Sequence, residues 1–162
     1  MEKTGSPEYI SRRVKHWFRK NWTSLEPTIR IFDEVENLLK QRILDKTKSS
    51  KFPILFFYKQ PEHWCLVDLH NFYYQFDDEY YDFDLVKIIS IGNTWGRTTL
   101  EEQITLEHKV KQSSWIYLNT LGAEQYDLYF GAKSGSCIWN CVRRIKQLKV
   151  AYKYDDYVLN YG

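Results

Sequence analysis

The sequence predicts an α+β fold with a helical head, an antiparallel sheet or partly open barrel of about seven strands, and a C-terminal capping helix. Apolar residues recur at helical spacing near both ends, and short aromatic and β-branched runs follow one another between them. Aromatic residues occupy 17% of the 162 positions, a content that favours strands over an all-helical bundle. We expect a single domain, with a helical lead-in at 1–50 and a strand-rich body at 51–162.

Two helices are predicted in the lead-in. The first, at residues 9–22, has an apolar face made of Ile10, Val14, Trp17 and Phe18. Basic residues fill much of the remaining circumference, so this helix is amphipathic and cationic. A second helix is predicted from about Pro27 to about Asp45. Its repeating apolar residues are Ile29, Phe32, Val35, Leu39 and Ile43.

Short apolar and aromatic runs predict the strands of the body. They lie at 53–59, 63–69, 71–76, 85–91, 104–110, 114–120 and 125–130. Since no helical pattern separates these runs, we expect antiparallel pairing rather than a parallel sheet with crossover helices. The last helix is predicted at about 136–149, where apolar residues return to helical spacing. The segments at 93–103 and 152–162 give no clear pattern.

Composition restricts the classes of protein that this chain can belong to. The net charge is only +2, which is low for a nucleic-acid binder of this size. The chain contains no apolar stretch long enough to cross a bilayer and no signal-peptide pattern at its start. Three cysteines without a C-x-x-C pair argue against a disulfide framework. These features predict a cytoplasmic protein, and the many aromatic residues leave a homodimer open.

The order of elements carries a resemblance to a known family. The segments concerned are VDLHNFYYQF at 67–76, DFDLVKIISI at 82–91, and YDLYF at 126–130 before the last helix. Over residues 50–149 the chain resembles the small bacterial pleckstrin-homology-like domains. This resemblance implies a binding or adaptor role rather than catalysis. We do not extend it to phosphoinositide binding, because the loops between the early strands contain Gln60, Glu62 and His70 with only Lys59 beside them.

The segment NFYYQFDDEYYDFD at 71–84 combines carboxylates and aromatic rings at a predicted turn. Tyrosine rings supply contact area and carboxylates attract a basic partner, so the segment is predicted to bind a protein with a basic surface. The candidate residues are Tyr73, Tyr74, Asp77, Asp78, Glu79, Tyr80, Tyr81, Asp82 and Asp84. An inhibitor or immunity protein that covers the basic active site of a toxin or nuclease is a special case. A solvated hairpin turn without a partner is the alternative.

The basic helix at 9–22 gives a second functional hypothesis. Its cations could pair with phosphates while its aromatic rings insert, which would favour an anionic membrane or a nucleic acid. The cationic candidates are Arg12, Arg13, Lys15, Arg19 and Lys20. In the alternative, the helix docks its aromatic face on the domain and leaves its charges in water.

An enzyme that depends on cysteine, histidine or zinc is the least favoured hypothesis. A zinc site would combine His63, Cys65, Cys137 and Cys141, but their spacing lacks the paired cysteines of structural zinc sites. A nucleophilic triad would combine Cys65, Asp68 and His70, although Cys65 and Asp68 face opposite sides of a strand. We therefore predict no catalytic residue, no metal and no cofactor.

Overall fold

The computed structural model describes residues 4–21, 28–48, 50–93, 115–122, 124–130 and 134–155. Within these ranges the regular structure consists of antiparallel sheets, three α-helices and two short 3-10 helices. The helices within these ranges are α1 (Pro7–Asn21), α2 (Asn37–Lys46) and α3 (Ser134–Ala151). The strands are β1 (Ile29–Ile31), β2 (Pro53–Gln60), β3 (His63–Asp68), β4 (Asn71–Phe76), β5 (Glu79–Asp84), β6 (Ile88–Asn93), β7 (Trp115–Thr120) and β8 (Gln125–Tyr129). Two 3-10 helices lie at Phe32–Glu34 and Leu85–Lys87.

The strands form two antiparallel sheets, one in the order β1-β2-β3-β4-β5 and one in the order β6-β7-β8. This arrangement, with one helix before the sheets and another after them, confirms the predicted α+β class. The two sheets do not close into a barrel within the described ranges. Short turns connect β2 to β3, β3 to β4 and β4 to β5, as is usual for antiparallel meanders, whereas a 3-10 helix and α2 separate β1 from β2.

The central strand β3 is buried along its whole length because both faces of the five-stranded sheet are covered. On one face, Cys65 and Val67 belong to the main core, to which α1, α3 and the three-stranded sheet also contribute. On the other face, Trp64 and Leu66 pack with a smaller cluster that includes Ile43 of α2. Alternate residues of one strand therefore serve two separate apolar layers.

Helix α1 docks on the body of the domain through the apolar face predicted from its spacing. Ile10, Val14 and Phe18 are fully buried, and α1 contacts both α3 and β2. Trp17 is partly buried against the same core, with its ring 5.0 Å from that of Phe18. The aromatic face of α1 is thus packed against the rest of the domain, as expected if this helix docks on the domain and leaves its charges in water.

The helix predicted from Pro27 to Asp45 is corrected by the structure. Ile29 and Ile31 are buried on either side of exposed Arg30, and β1 pairs with β2 through Ile29–Phe57 and Ile31–Leu55. Only Asn37–Lys46 is helical in α2. An alternating apolar pattern fits a strand, and pairing with a distant strand prevails here over the local helical period.

The body also departs from its predicted strand boundaries. Strand β5 was not predicted, because five carboxylates between 77 and 84 hid the alternation of Tyr81 and Phe83. The strand expected at 85–91 begins with a 3-10 helix and runs from Ile88 to Asn93. The predicted strand at 104–110 and the segment at 94–103 lie outside the described residues. The last helix is longer than predicted and spans Ser134–Ala151.

Candidate functional site

The acidic aromatic segment folds as a hairpin in which β4 pairs with β5. Phe76 faces Glu79 across the hairpin, so Asp77 and Asp78 form its two-residue connection. Asp77 has a φ of 51°, in the left-handed region that aspartate enters more readily than most residues. Its backbone N–H donates to the carbonyl oxygen of Glu62 at 2.8 Å. This hydrogen bond fixes the acidic connection against the neighbouring β2–β3 turn.

The exposed carboxylates of the hairpin fall into two groups. Asp77, Asp78 and Glu79 lie at the connection, and no hydrogen bond to any of these three carboxylates is found among the described residues. Asp82, by contrast, accepts a hydrogen bond from the Asn71 side chain at 2.9 Å. Asp84 accepts one from the backbone N–H of Val86 and so caps the following 3-10 helix. The connection therefore supplies the carboxylates that are open to a partner.

Two of the tyrosines in the predicted binding surface lie inside the molecule. Tyr73 and Tyr74 are 1% and 2% exposed, which removes them from contact with a partner. The Tyr74 hydroxyl donates to the carbonyl oxygen of Tyr129 and accepts from its N–H, both at 2.9 Å. Burial raises the Tyr74 pKa, so the hydroxyl keeps its proton. Tyr74 thus ties β4 to β8 from a buried position.

Tyr80 and Tyr81 stand on opposite faces of β5. Tyr80 is 44% exposed, and its ring lies 6.2 Å from that of Trp64. Burial is the larger cause that raises the Tyr80 pKa, and the nearby Asp82 carboxylate raises it further. Tyr81 is half-buried, with its ring 5.1 Å from that of Tyr126. Of the tyrosines predicted at the site, Tyr80 alone is broadly accessible.

A cleft opens where the β4–β5 connection approaches the end of the β7–β8 pair. Its volume is about 490 Å³. The lining residues, which we call the acidic cleft, are Tyr74, Phe76, Asp77, Asp78, Glu79, Trp115, Asp127 and Tyr129. The structure thus brings the three connection carboxylates together with a fourth, Asp127, and with aromatic rings from both sheets. Asp82 and Asp84 lie against a different hollow.

Sequence reasoning missed Trp115, Asp127 and Tyr129. In the β7–β8 pair, Trp115 faces Tyr129 and Tyr117 faces Asp127. The run QYDLY places Gln125, Asp127 and Tyr129 on one side of β8, which is a signal for a shared face but not for its neighbour. Only contacts between the two sheets bring that face to the acidic hairpin.

Aromatic rings form the apolar wall of the acidic cleft. The ring of Trp115 lies 5.1 Å from that of Tyr129, and the Phe76 ring lies 5.7 Å from it on another side. Trp115 is 38% exposed. The ammonium of Lys59 already lies 6.0 Å from the centroid of the Tyr129 ring. This distance is at the limit for a cation–π contact, and the His63 ring is stacked on Tyr129 with the ring centroids 5.7 Å apart.

His63 supports this wall from within. It is 1% exposed, its ring lies 4.7 Å from that of Phe76, and its Nε2 lies 2.8 Å from the carbonyl oxygen of Tyr129. Since the carbonyl can only accept, Nε2 carries the proton and donates. Burial is the main cause that lowers the His63 pKa, so the ring is neutral near pH 7. The acidic cleft therefore receives no positive charge from the histidine beneath it.

The arrangement of the acidic cleft suits recognition of a cation. Four carboxylates provide negative charge and hydrogen-bond acceptors, while aromatic faces provide a surface on which an alkyl stem or a guanidinium can stack. A lysine or arginine side chain combines these two properties. No residue of the cleft is arranged as a nucleophile with a base within the described part of the chain.

The cations predicted on the basic helix are partly engaged with the rest of the protein. Lys15 forms an ion pair with Asp33 at 2.9 Å, and Arg19 lies 3.4 Å from Glu34. The Arg12 guanidinium lies 5.3 Å from the Tyr9 ring centroid. Arg13 and Lys20 are exposed. Lys15 and Arg19 are thus paired with carboxylates of the 3-10 helix at Phe32–Glu34, and the aromatic face is packed on the core. Fewer groups of this helix are therefore available for phosphate binding than its sequence indicated.

The three cysteines, together with His63 and His70, do not assemble a reactive centre in the described part of the chain. Cys65, Cys137 and Cys141 are buried free thiols, and burial raises the pKa of Cys65 and of Cys141 well above the ordinary value. No cluster of three potential metal ligands is found in the described ranges. Asp68 accepts the His70 backbone N–H at 2.8 Å, whereas Cys65 belongs to the main core. The triad considered from the sequence is therefore not formed.

None of the helices in the described ranges is both long and apolar enough to pass through a bilayer. Comparison of the chain with protein-family models, curated proteins and solved structures finds no match.

Proposed function

We propose that the protein is a non-enzymatic binding or adaptor domain, and that its acidic cleft receives a lysine or arginine side chain from a protein partner with a basic surface. The observation that carries this proposal is the meeting of four carboxylates with the exposed Trp115 and the Tyr129 ring in one cleft. A solvated turn would need no aromatic wall. An anion-binding surface would need cations in place of these carboxylates.

Both parts of the cleft contribute to the expected affinity. A cation over an aromatic face is worth about 0.5–1 kcal/mol when exposed and about 2 kcal/mol or more when desolvated. An exposed charge pair contributes about 0.2–1 kcal/mol, so the carboxylates act chiefly by steering the partner and fixing its orientation. Aromatic anchoring is therefore expected to set the dissociation rate, and charge to set the association rate.

An inhibitor or immunity protein remains the special case of this proposal. Such a protein would place its acidic cleft over the basic active site of a toxin or nuclease in the cytoplasm, and the cleft would receive a basic side chain of that site. The small size of the domain and the fixed hydrogen bond from Asp77 to Glu62 support a pre-formed surface of this kind. The resemblance to pleckstrin-homology-like domains, which implies an adaptor role, stays a prediction.

The test compares capture of proteins from native lysate by three forms of the chain. The cleft variant carries Asp78→Asn, Glu79→Gln and Asp127→Asn. The control variant carries Glu8→Gln, Glu36→Gln and Asp45→Asn, which removes the same charge from exposed positions outside the cleft. Circular dichroism verifies that all three forms are folded. A fourth form, Trp115→Ala, is checked in the same way and separates the aromatic contribution from that of the charge.

We expect wild type and the control variant to recover the same basic protein and the cleft variant to lose it. The association rate of the recovered pair should fall as salt is raised, because screening weakens steering. Recovery of the same proteins by all three forms would contradict the proposal. Recovery of anionic lipid or nucleic acid instead, abolished by changing Arg12, Arg13, Arg19 and Lys20 to glutamine, would favour the basic helix.

A further inference from the structure

A second cavity, lined by other residues than the acidic cleft, lies between α3 and the segment that follows β5. Its volume is about 460 Å³. We call it the lysine cavity, and its lining residues are Leu85, Val86, Lys146, Lys149, Val150, Lys153, Tyr154 and Asp155. Three of these side chains are cationic and one is anionic. The chemical character of this cavity is therefore opposite to that of the acidic cleft.

Two of the lysines are held in place by backbone carbonyl groups. Lys149 Nζ donates to the carbonyl oxygen of Leu69 at 2.5 Å, and Lys146 Nζ donates to that of Ile88. Lys149 Nζ also lies 5.1 Å from the centroid of the Tyr154 ring. Each ammonium has three N–H donors, so one such bond leaves two donors available on each. Two ammonium groups are thus pre-positioned at one cavity.

Neither ammonium group forms an ion pair with a carboxylate of the described residues, although Asp155 lines the same cavity. No carboxylate of the described residues lies within 4.0 Å of Lys146 Nζ or Lys149 Nζ. Asp68 is the buried carboxylate of this region, but its oxygens accept hydrogen bonds from Ser50, from the Phe52 N–H and from the His70 N–H. The Asp68 carboxylate is therefore already hydrogen-bonded to the loops that precede β2 and follow β3.

An ammonium that is withdrawn from water without a counter-ion is unfavourable. Burial lowers the Lys149 pKa to about 8, and the carboxylates of Asp68, Asp84 and Asp155 only partly oppose this effect. Burial also lowers the Lys146 pKa. A bound anion would supply the missing charge and would use the N–H donors that remain.

The rest of the lysine cavity is suited to an apolar group. Val86 is 74% exposed and Val150 is 81% exposed, although both are aliphatic. They border the cavity together with the ring of Tyr154 and the side chain of Leu85. Exposed aliphatic side chains around a cavity favour a ligand that covers them, at about 25 cal/mol per Å² of apolar surface removed from water.

We infer that the lysine cavity binds a small amphipathic anion, whose carboxylate or phosphate head is held by Lys146 and Lys149 and whose apolar chain covers Leu85, Val86 and Val150. This site uses none of the acidic cleft residues, so it does not depend on the proposed function. The His70–Tyr154 pair, with Nε2 2.5 Å from the tyrosine hydroxyl, fixes one wall of the cavity before a ligand arrives.

Isothermal titration calorimetry with octanoate, octyl phosphate and inorganic phosphate tests this inference. We expect one saturable site for at least one of the two octyl compounds, and the tighter of them identifies the head group. Lys149→Gln should weaken that binding about tenfold or more, since a hydrogen bond to a charged group is lost. Lys48→Gln, which changes an exposed lysine outside the cavity, should leave it unchanged.

A second pair of variants keeps the test independent of folding. Val150→Asp places a negative charge at an 81% exposed position of the cavity, and Leu38→Asp does the same at a 70% exposed position on α2. Val150→Asp alone should weaken binding. The inference would be overturned by the absence of saturable octyl-compound binding, by equal affinity in wild type and Val150→Asp, or by inorganic phosphate binding as tightly as the octyl compounds.

Discussion

His63 shows how one polar residue can join two sheets. Its ring is enclosed by aromatic neighbours, and its Nε2 proton is donated to the Tyr129 carbonyl oxygen at 2.8 Å. Tyr74 contacts the same carbonyl oxygen and the N–H of the same residue. Two side chains of the five-stranded sheet therefore hold one residue of β8. The aromatic wall of the acidic cleft depends on these contacts.

We predict that His63 makes the protein less stable as the pH falls. Burial lowers its folded-state pKa below the unfolded value of about 6.5, so the unfolded chain binds the proton first. This stability is fully present above about pH 6.5 and is lost as the pH falls from there towards the folded-state pKa. Urea unfolding at about pH 7 and about pH 5 measures the effect.

The variant His63→Gln isolates this contribution. Burial also lowers the His70 pKa, and that residue adds a loss of the same sign in both proteins. The free energy of unfolding of His63→Gln should therefore fall less between the two pH values than that of wild type. Equal decreases in the two proteins would mean that His63 takes up its proton as readily in the folded state as in the unfolded chain.

At the scale of elements, periodic patterns predicted α1 and α3 well and residues 27–45 poorly. The face of α1 formed by Ile10, Val14 and Phe18 fits only a helix, because charged residues fill much of the remaining circumference. Ile29 and Ile31 fit either a strand or an irregular helical face. What decides between them is pairing with Phe57 and Leu55, more than 20 positions away. Local spacing contains no information about that partner.

We predict that α1 belongs to the cooperative unit of the domain. Phe18 is fully buried between the helix and the main core, so Phe18→Ala should reduce the free energy of unfolding by about 3–5 kcal/mol. Lys20→Ala changes an exposed residue two positions later and should stay within about 0.5 kcal/mol of wild type. Urea denaturation followed by far-ultraviolet circular dichroism gives both values. Two similar values would show that α1 is not docked in solution.

At the scale of the whole molecule, the sequence predicted half of the acidic cleft. The carboxylates of Asp77, Asp78 and Glu79 were recognised because they adjoin one another in an aromatic segment. Asp127 and Trp115 were not, because each lies in an ordinary strand and meets the hairpin only through packing between sheets. The sequence does not indicate the lysine cavity either, since its walls come from two distant parts of the chain.

The three cysteines give a measure of how far the two sheets and α3 act as one unit. Cys65 lies on β3, Cys137 and Cys141 lie on α3, and all three belong to the main core. Burial keeps the Cys65 and Cys141 thiols protonated, and only the thiolate reacts readily with a disulfide reagent.

We therefore predict that the three thiols stay unreactive towards a disulfide reagent in the native protein and become reactive together as urea unfolds the chain. The midpoint of their reactivity should coincide with that of the circular dichroism transition, because the sheet and the helix share one core. A thiol that reacts fully in native buffer would show that α3 opens separately from β3. Zinc binds thiolates, so buried protonated thiols are not expected to hold it. Stoichiometric zinc in the purified protein would therefore contradict this account of the thiols and return the zinc hypothesis to consideration.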